Sequence, residues 1–260
     1  MHHQPLGPVE ATGVLVYRSY VAYRKVWHLV VTGFLESVFY LFSIGIGVGG
    51  LVEGFTFNGH PIGYAEFVAS GMLAAAAMNG AMLDSTFNFF FKLKFDKLFD
   101  QQLATPLTTM DVARGELAWS LLRGGVYSTA FLVLMCLLGY VQSWWGLLVV
   151  PASLLVAAGF AACFMALTTW MRSWQDFEFI TLAVVPFFLF SATFFPITAF
   201  PDGVERVVEW TPLYRGVLLC RELTTGLVTE QSLYSVAYLG AMVALGLMLC
   251  RRRLDALLRT

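Results

Sequence analysis

The sequence predicts an all-α membrane protein. It reads as six transmembrane helices, an N-terminal amphipathic interfacial helix, a short helical connection on the cytoplasmic side and an extracytoplasmic re-entrant helical segment. Three observations carry this reading. Of the 260 residues 58% are hydrophobic and only 13% are charged, against roughly 25% charged in an average soluble domain. Several long stretches contain no charge at all. The cations that remain are distributed very unevenly along the chain.

The charge-free stretches place the helices. No Lys or Arg occurs between Val26 and Phe91, and no charge of either sign between Gly124 and Met171. A helix needs roughly 20 apolar residues to cross a hydrocarbon core of about 30 Å. Residues 124–171 are therefore too many for one crossing, and their centre, Gln142-Ser143-Trp144-Trp145-Gly146, reads as a turn with two tryptophans at the headgroup level. Residues 26–91 divide at Asn58-Gly59-His60-Pro61, all turn formers. The predicted spans are about 28–52, 64–91, 117–140, 147–171, 177–195 and 231–250.

The positive-inside rule sets the orientation. With the N-terminus in the cytoplasm, Arg18, Arg24, Lys25, Lys92, Lys94, Lys97, Arg114, Arg123, Arg172, Arg251, Arg252, Arg253 and Arg259 fall inside, and only Arg206, Arg215 and Arg221 fall outside. Both termini come out cytoplasmic. Residues 12–27 alternate Val14, Leu15, Val21 and Trp27 with Arg18, Arg24 and Lys25, as a helix lying on the inner surface would. No secretory signal peptide is expected at the N-terminus. Residues 196–225 are too apolar for a free loop and too broken by Pro196, Pro201 and Pro212 for one crossing. They are expected to dip back into the outer leaflet, with protein covering their backbone ends, and to form an extracellular gate. The candidate pathway and gate residues are Glu36, Phe194, Phe195, Pro196, Arg215 and Arg221.

Other features weigh less. Glu36 lies within the first span, where a carboxylate is costly and a functional suspect; pairing inside the bundle is the blander role. Asp84 reads as an interface residue near the cytoplasmic end of the second span, and Arg123 is the best partner for either carboxylate. Gly45 and Gly49 are one helical turn apart, as at close helix contacts. Gly71 with Ala74 to Ala77 gives the second span a similar face. Phe87, Phe89, Phe90, Phe91, Phe95 and Phe99 read as packing. A phosphate-binding loop, a zinc-protease motif and a nucleophile elbow are all missing from the sequence. An energy source must then come from a partner. Cys136, Cys163, Cys220 and Cys250 have no metal-ligand spacing, so neither a disulfide nor a metal is expected. Net charge of −1 gives no reason to expect nucleic acid.

Two segments resemble the ABC-2 type transporter permease family, most closely its lipo-oligosaccharide and drug export branch. One runs Leu98-Phe99-Asp100-Gln101-Gln102-Leu103-Ala104-Thr105-Pro106-Leu107 and continues to Arg114-Gly115-Glu116. The other is Phe190-Ser191-Ala192-Thr193-Phe194-Phe195-Pro196, then Pro201, Pro212-Leu213-Tyr214 and Arg221. Ala192 stands where the family pattern has Gly. The resemblance implies one ABC-2 transmembrane domain over residues 1–260 in a bacterial cytoplasmic membrane. It implies that Phe99 to Leu107 form a coupling helix seated on an ABC ATPase subunit, which binds ATP and Mg, with no cofactor in this chain. It implies a second permease subunit, identical or homologous, and export of an amphipathic substrate: a lipid-linked saccharide, a glycolipid or a hydrophobic drug. The competing reading is an ATP-independent secondary transporter or intramembrane enzyme, which calls for several convergent polar groups at the midplane.

Overall fold

The computed structural model describes residues 7–24, 35, 37–52 and 55–258. Glu36 lies outside the described residues, as does most of the first half of the predicted first span. The chain is nearly all helical: α1 (Pro8–Tyr23), α2 (Ser37–Gly49), α3 (Tyr64–Lys94), α4 (Leu98–Leu103), α5 (Thr109–Leu137), α6 (Trp144–Thr168), α7 (Phe177–Leu189), α8 (Asp202–Glu209), α9 (Pro212–Thr225) and α10 (Glu230–Leu258). The strands described are the two-residue pair β1 (Thr56–Phe57) and β2 (His60–Pro61). They flank Asn58 and Gly59, both at positive φ as a tight hairpin turn requires.

Among the described residues four helices are long and apolar enough to cross a membrane: α3, α5, α6 and α10. α3 and α6 are interior, with 72% and 61% of their most apolar windows buried; α5 and α10 bury only 28% and 22%. A helix that is apolar all round yet exposed on most of its surface needs lipid as its solvent. α3, α5 and α10 are longer than the sequence predicted, whereas α6 matches the predicted length. α5 begins at Thr109 because Thr108 and Asp111 form a reciprocal cap, each side chain bonded to the other's backbone N–H. α10 runs through Arg251 to Arg253 to Leu258, where Arg251 pairs with Asp255 at 3.7 Å.

The predicted fifth span, 177–195, is shorter. α7 ends at Leu189 after 13 residues, about 20 Å of rise. Beyond it Ala192 adopts φ +53, which no helix continues through. The corner Ser191-Ala192-Thr193 is buried.

α1 and the last turns of α10 both pack against the start of α5. α1 lies along the start of α5, with Ala11, Leu15 and Ser19 inward at the i, i+4 spacing of one helix face. Leu15 fills the space over Gly115, where a Cβ would stand 2.7 Å from the Leu15 Cβ. The neighbouring Glu116 meets Lys92 of α3 at 2.5 Å. The Arg114-Gly115-Glu116 motif thus seats the N-terminal helix and ties α5 to α3. At the far end of the chain, Thr109 donates to Asp255 of α10 at 2.7 Å. In the turn before α7, the backbone N–H groups of Arg172 and Ser173 donate to Asp176 and hold its carboxyl below the usual carboxylate range. The aromatic strip packs as expected: Phe87 stacks on Phe177 at 4.3 Å, and Phe89 meets Phe99 at 5.0 Å.

Candidate functional site

Polar groups gather at two levels of the bundle, with a cavity reaching from one of them. The level nearer the chain ends is built by α3 and α5. Residues Asp84–Asn88 form a π turn; Phe89 N–H bonds to the Asp84 carbonyl, five residues back, and frees the Ser85 carbonyl. Thr168 of α6 donates to that carbonyl at 3.0 Å. Such a turn inside an α-helix is uncommon and concentrates at functional sites. Asp84 Oδ1 accepts from Arg123 Nη1 at 2.6 Å and from Asn88 Nδ2 at 2.8 Å. The guanidinium also lies 5.4 Å from the Tyr23 ring of α1, which packs on Trp119 at 5.5 Å. The expected pairing of Arg123 with a carboxylate is therefore made to Asp84.

A cavity of about 400 Å³ opens beside this pair between α2, α3, α5 and α7. Met72, Leu73, Phe131 and Phe188 make its walls apolar, while Asn79, Tyr127, Ser128 and the ion pair make one end polar. An apolar chamber with a few convergent polar groups is the usual form of a binding site for an amphipathic small molecule.

The second level lies toward the opposite end. Glu66 of α3 accepts from Gln142 Nε2 at 2.9 Å, and the Gln142 backbone N–H donates to the Thr224 carbonyl at the end of α9. Helix α9 is the unusual element. Its bounds follow from sequence: Thr211 caps it, Pro212 opens it, and Gly226 at φ +79 closes it against Ser143. Yet every residue from Leu213 to Thr224 is buried, covered by α3, α6 and α10.

Each charge on α9 has partners. Glu222 accepts from the backbone and hydroxyl of Thr229 and from the Ser232 hydroxyl. Arg215 donates to Gln231 at 2.9 Å and lies over the Tyr234 ring at 4.5 Å. Arg221 donates to the Ala192 carbonyl at 3.0 Å, the Phe67 carbonyl at 3.2 Å and Ser70 Oγ at 3.3 Å, with its guanidinium 3.5 Å from the centre of the Phe67 ring.

Arg215 and Arg221, candidate pathway and gate residues, lie in the interior at 7% and 2% exposed, and Arg221 clamps the corner after α7 onto α3. Gly71 makes room for that clamp, since a Cβ there would stand 3.0 Å from Thr193 Cα and 3.1 Å from Arg221 Nη2. The coupling segment is helical over Leu98–Leu103 only, and Phe99 and Gln102 are buried. Asp100, Gln101, Ala104, Thr105 and Pro106 are exposed, while Leu103 and Leu107 are half-buried. Of the proposed gate residues, Phe194 packs on Phe188 at 5.3 Å, Phe195 is exposed and Pro196 is half-buried. Glu66, Gln142 and Glu222 were not anticipated. A carboxylate within an apolar helix is the signal that marks Glu66; nothing local in the sequence marks the other two.

Ala192 carries a backbone cost. Its φ of +53 lies where a Cβ is disfavoured by roughly 1–2 kcal/mol. Ala192→Gly is expected to raise stability by about 1 kcal/mol, read as a higher midpoint of thermal unfolding in detergent. A lowered midpoint would show that the Ala192 methyl, 2% exposed, contributes more by packing than it costs in backbone strain.

Long apolar helices joined by interior polar bridges define a multi-pass membrane protein. The chain belongs to the ABC-2 type transporter family, which matches residues 10–223. Its relatives include nodulation protein J of Rhizobium leguminosarum bv. viciae, 29% identical over 215 residues covering 80% of each chain. Nodulation protein J of Sinorhizobium fredii is 30% identical over 207 residues, covering 78% of this chain and 77% of that one. Members of the family are membrane subunits of transporters.

Proposed function

We propose that this chain is the permease subunit of an ATP-driven ABC exporter that moves an amphipathic substrate out of the cytoplasm or the inner leaflet. The observation that carries the reading is the amphipathic cavity, polar at the end nearer the chain termini, in a chain of the ABC-2 family. On this reading separate ABC ATPase subunits bind ATP and Mg, and a second permease subunit, identical or homologous, completes the pathway. The substrate is a lipid-linked saccharide, a glycolipid or a hydrophobic drug. The polar groups that converge on the cavity sit at one end of it, not at a midplane, which disfavours a self-sufficient secondary transporter.

The reading includes six crossings, with α2 and α7 belonging to the first and fifth, and both termini cytoplasmic in a bacterial inner membrane. Cysteines introduced at His60 and Trp144, both exposed, are expected to label from outside intact cells, and one at Thr105 is not. Labelling at Thr105 would reverse the orientation. In this arrangement residues 196–225 form a short re-entrant segment and outer gate, with α9 embedded and α8 lying above it.

Coupling is assigned to the exposed side of α4 and the turn that follows: Asp100, Gln101, Ala104 and Pro106. Leu103 packs against the core, so a charge there would disturb the fold as well as the docking. The double variant Asp100→Arg, Ala104→Arg is expected to abolish co-purification of the ATPase and reduce export to background. The melting temperature of the isolated permease should stay within about 2 °C of the parent, as for surface substitutions. Full ATPase association in that variant would place the docking surface elsewhere.

A further inference from the structure

We infer that the cavity beside Asp84 and Arg123 is a binding site for a zwitterionic lipid head group, with an oxyanion on Arg123 and an amine on Asp84. This rests on the permease reading above and names the chemistry of the head group.

The first observation concerns the guanidinium. Asp84 takes only Nη1. The opposite edge, Nε with Nη2, has the Tyr127 hydroxyl at 3.4 Å and no partner at all for the buried Nε. That edge is the side-on fork that matches two oxygens of one phosphate or carboxylate. A buried guanidinium donor left unpaired costs free energy comparable to a lost charge-assisted hydrogen bond, so a ligand oxygen there gains more than it would at an already satisfied group.

The second observation is charge balance. Arg123 is paired with Asp84, and the nearby Lys92 with Glu116. A purely anionic ligand would bring uncompensated negative charge beside Asp84. A ligand carrying both charges leaves the total unchanged: its oxyanion takes the unpaired Nε–Nη2 edge as the side chain turns toward the cavity, and its amine shares the carboxylate of Asp84. The Tyr23 ring supplies a polarizable face beside the pair.

The third observation is depth. Glu66 and Asp84 are eighteen residues apart along α3, and their partners Gln142 and Arg123 are nineteen apart on the neighbouring chain segment. Eighteen residues of helix rise about 27 Å, close to the ~30 Å thickness of a hydrocarbon core. The two bridges therefore bracket the core. The Asp84–Arg123 end stands at headgroup level, and the walls at Met72 and Leu73 run inward from it toward the level of the acyl chains. A lipid entering from that leaflet would present its head to the ion pair and its chains to the apolar walls.

The test uses the purified full-length permease in detergent, without the ATPase. Native mass spectrometry measures binding of three single-chain lipids with the same acyl group: zwitterionic lysophosphatidylethanolamine, anionic lysophosphatidylglycerol and uncharged monoacylglycerol. Chainless phosphoethanolamine is the fourth probe. The zwitterionic lipid is expected to bind at least about tenfold tighter than the other two lipids, the scale of one good charge-assisted contact. Phosphoethanolamine alone should bind far more weakly. Arg123→Lys keeps the charge and loses the fork, and should remove the preference. Asp84→Asn should shift it toward the anionic lipid.

Equal binding of the three lipids, or tightest binding of monoacylglycerol, would overturn the proposal. So would a preference that survives both variants. Phosphoethanolamine binding as tightly as the lipid would show a site for a free solute and overturn the lipid assignment. If neither variant folds, the parent protein's ranking of the four probes decides alone. Failure of the permease to associate with any ATPase would sink the exporter reading and leave this binding result standing.

Discussion

Arg221→Ala is expected to lower the stability of the permease by about 3 kcal/mol or more. The side chain is 2% exposed and donates to the carbonyls of Ala192 and Phe67 and to Ser70. Its removal opens a cavity, which costs about 2–5 kcal/mol for a large buried side chain. It also leaves the Ala192 carbonyl without a donor in a dry corner. The offsetting gain is that a buried cation no longer needs to be desolvated, which keeps the net figure below the sum of the losses. Arg221→Lys is expected to rescue only in part, because an ammonium is a point charge without the planar fork that spans two elements. The measurement is thermal unfolding in detergent, together with limited proteolysis between Phe190 and Pro201. The corner should become cleavable in the variant. An unchanged midpoint and an intact corner would show that α7 is held to α3 by other contacts. Gly71→Val approaches the same clamp from α3 and should reproduce the defect, since its Cβ meets Thr193 and Arg221 at 3.0–3.1 Å.

Gly246→Ala is the second substitution with a large expected effect, at about 1–3 kcal/mol of destabilisation. A Cβ at Gly246 would stand 2.7 Å from the backbone carbon and the Cβ of Ala162 and 2.8 Å from the Cys163 nitrogen. Neither helix has a flexible side-chain end at that point to yield, so α10 must move away from α6. Small residues at such crossings are what let membrane helices approach. Gly240→Ala on the same helix is the control, because nothing lies within 4 Å of its Cβ. It should be neutral or stabilise by up to about 1 kcal/mol through helix propensity. Equal midpoints for the two variants would mean that the α6–α10 contact does not set the stability.

Much of the architecture was legible in the sequence because lipid imposes long, uncharged helices. Trp144 and Trp145 marked the turn between two of them, and Asn58-Gly59 marked the turn between the first two, though not the short strand pair that flanks it. The pairing of Arg123 with Asp84 was half legible. Two opposite charges at similar depths in neighbouring helices invite pairing, but the π turn that aims Asp84 has no sequence signature. The fifth helix was overestimated, because Phe190 to Phe195 are as apolar as a membrane span. The helix ends at Leu189 because the backbone leaves the helical region at Phe190, ahead of a corner at Ala192 held by an arginine 29 residues away.

The prolines and the apolar content of residues 196–225 predicted short broken helices, and Thr211, Pro212 and Gly226 set the bounds of α9. Whether Arg215, Arg221 and Glu222 on that helix meet solvent or the interior depends on what surrounds it, and no local pattern carries that. A charged side chain is stable in the interior only when donors and acceptors from distant segments arrive together. Here they come from Phe67, Ser70, Ala192, Thr229, Gln231 and Ser232. Composition and charge placement suffice to establish a helical membrane protein, because transfer from water to lipid is a property of each segment taken alone. The burial of Arg221, the inward face of Phe99 and the polar end of the cavity are properties of contacts between segments, and they emerge only when the helices pack.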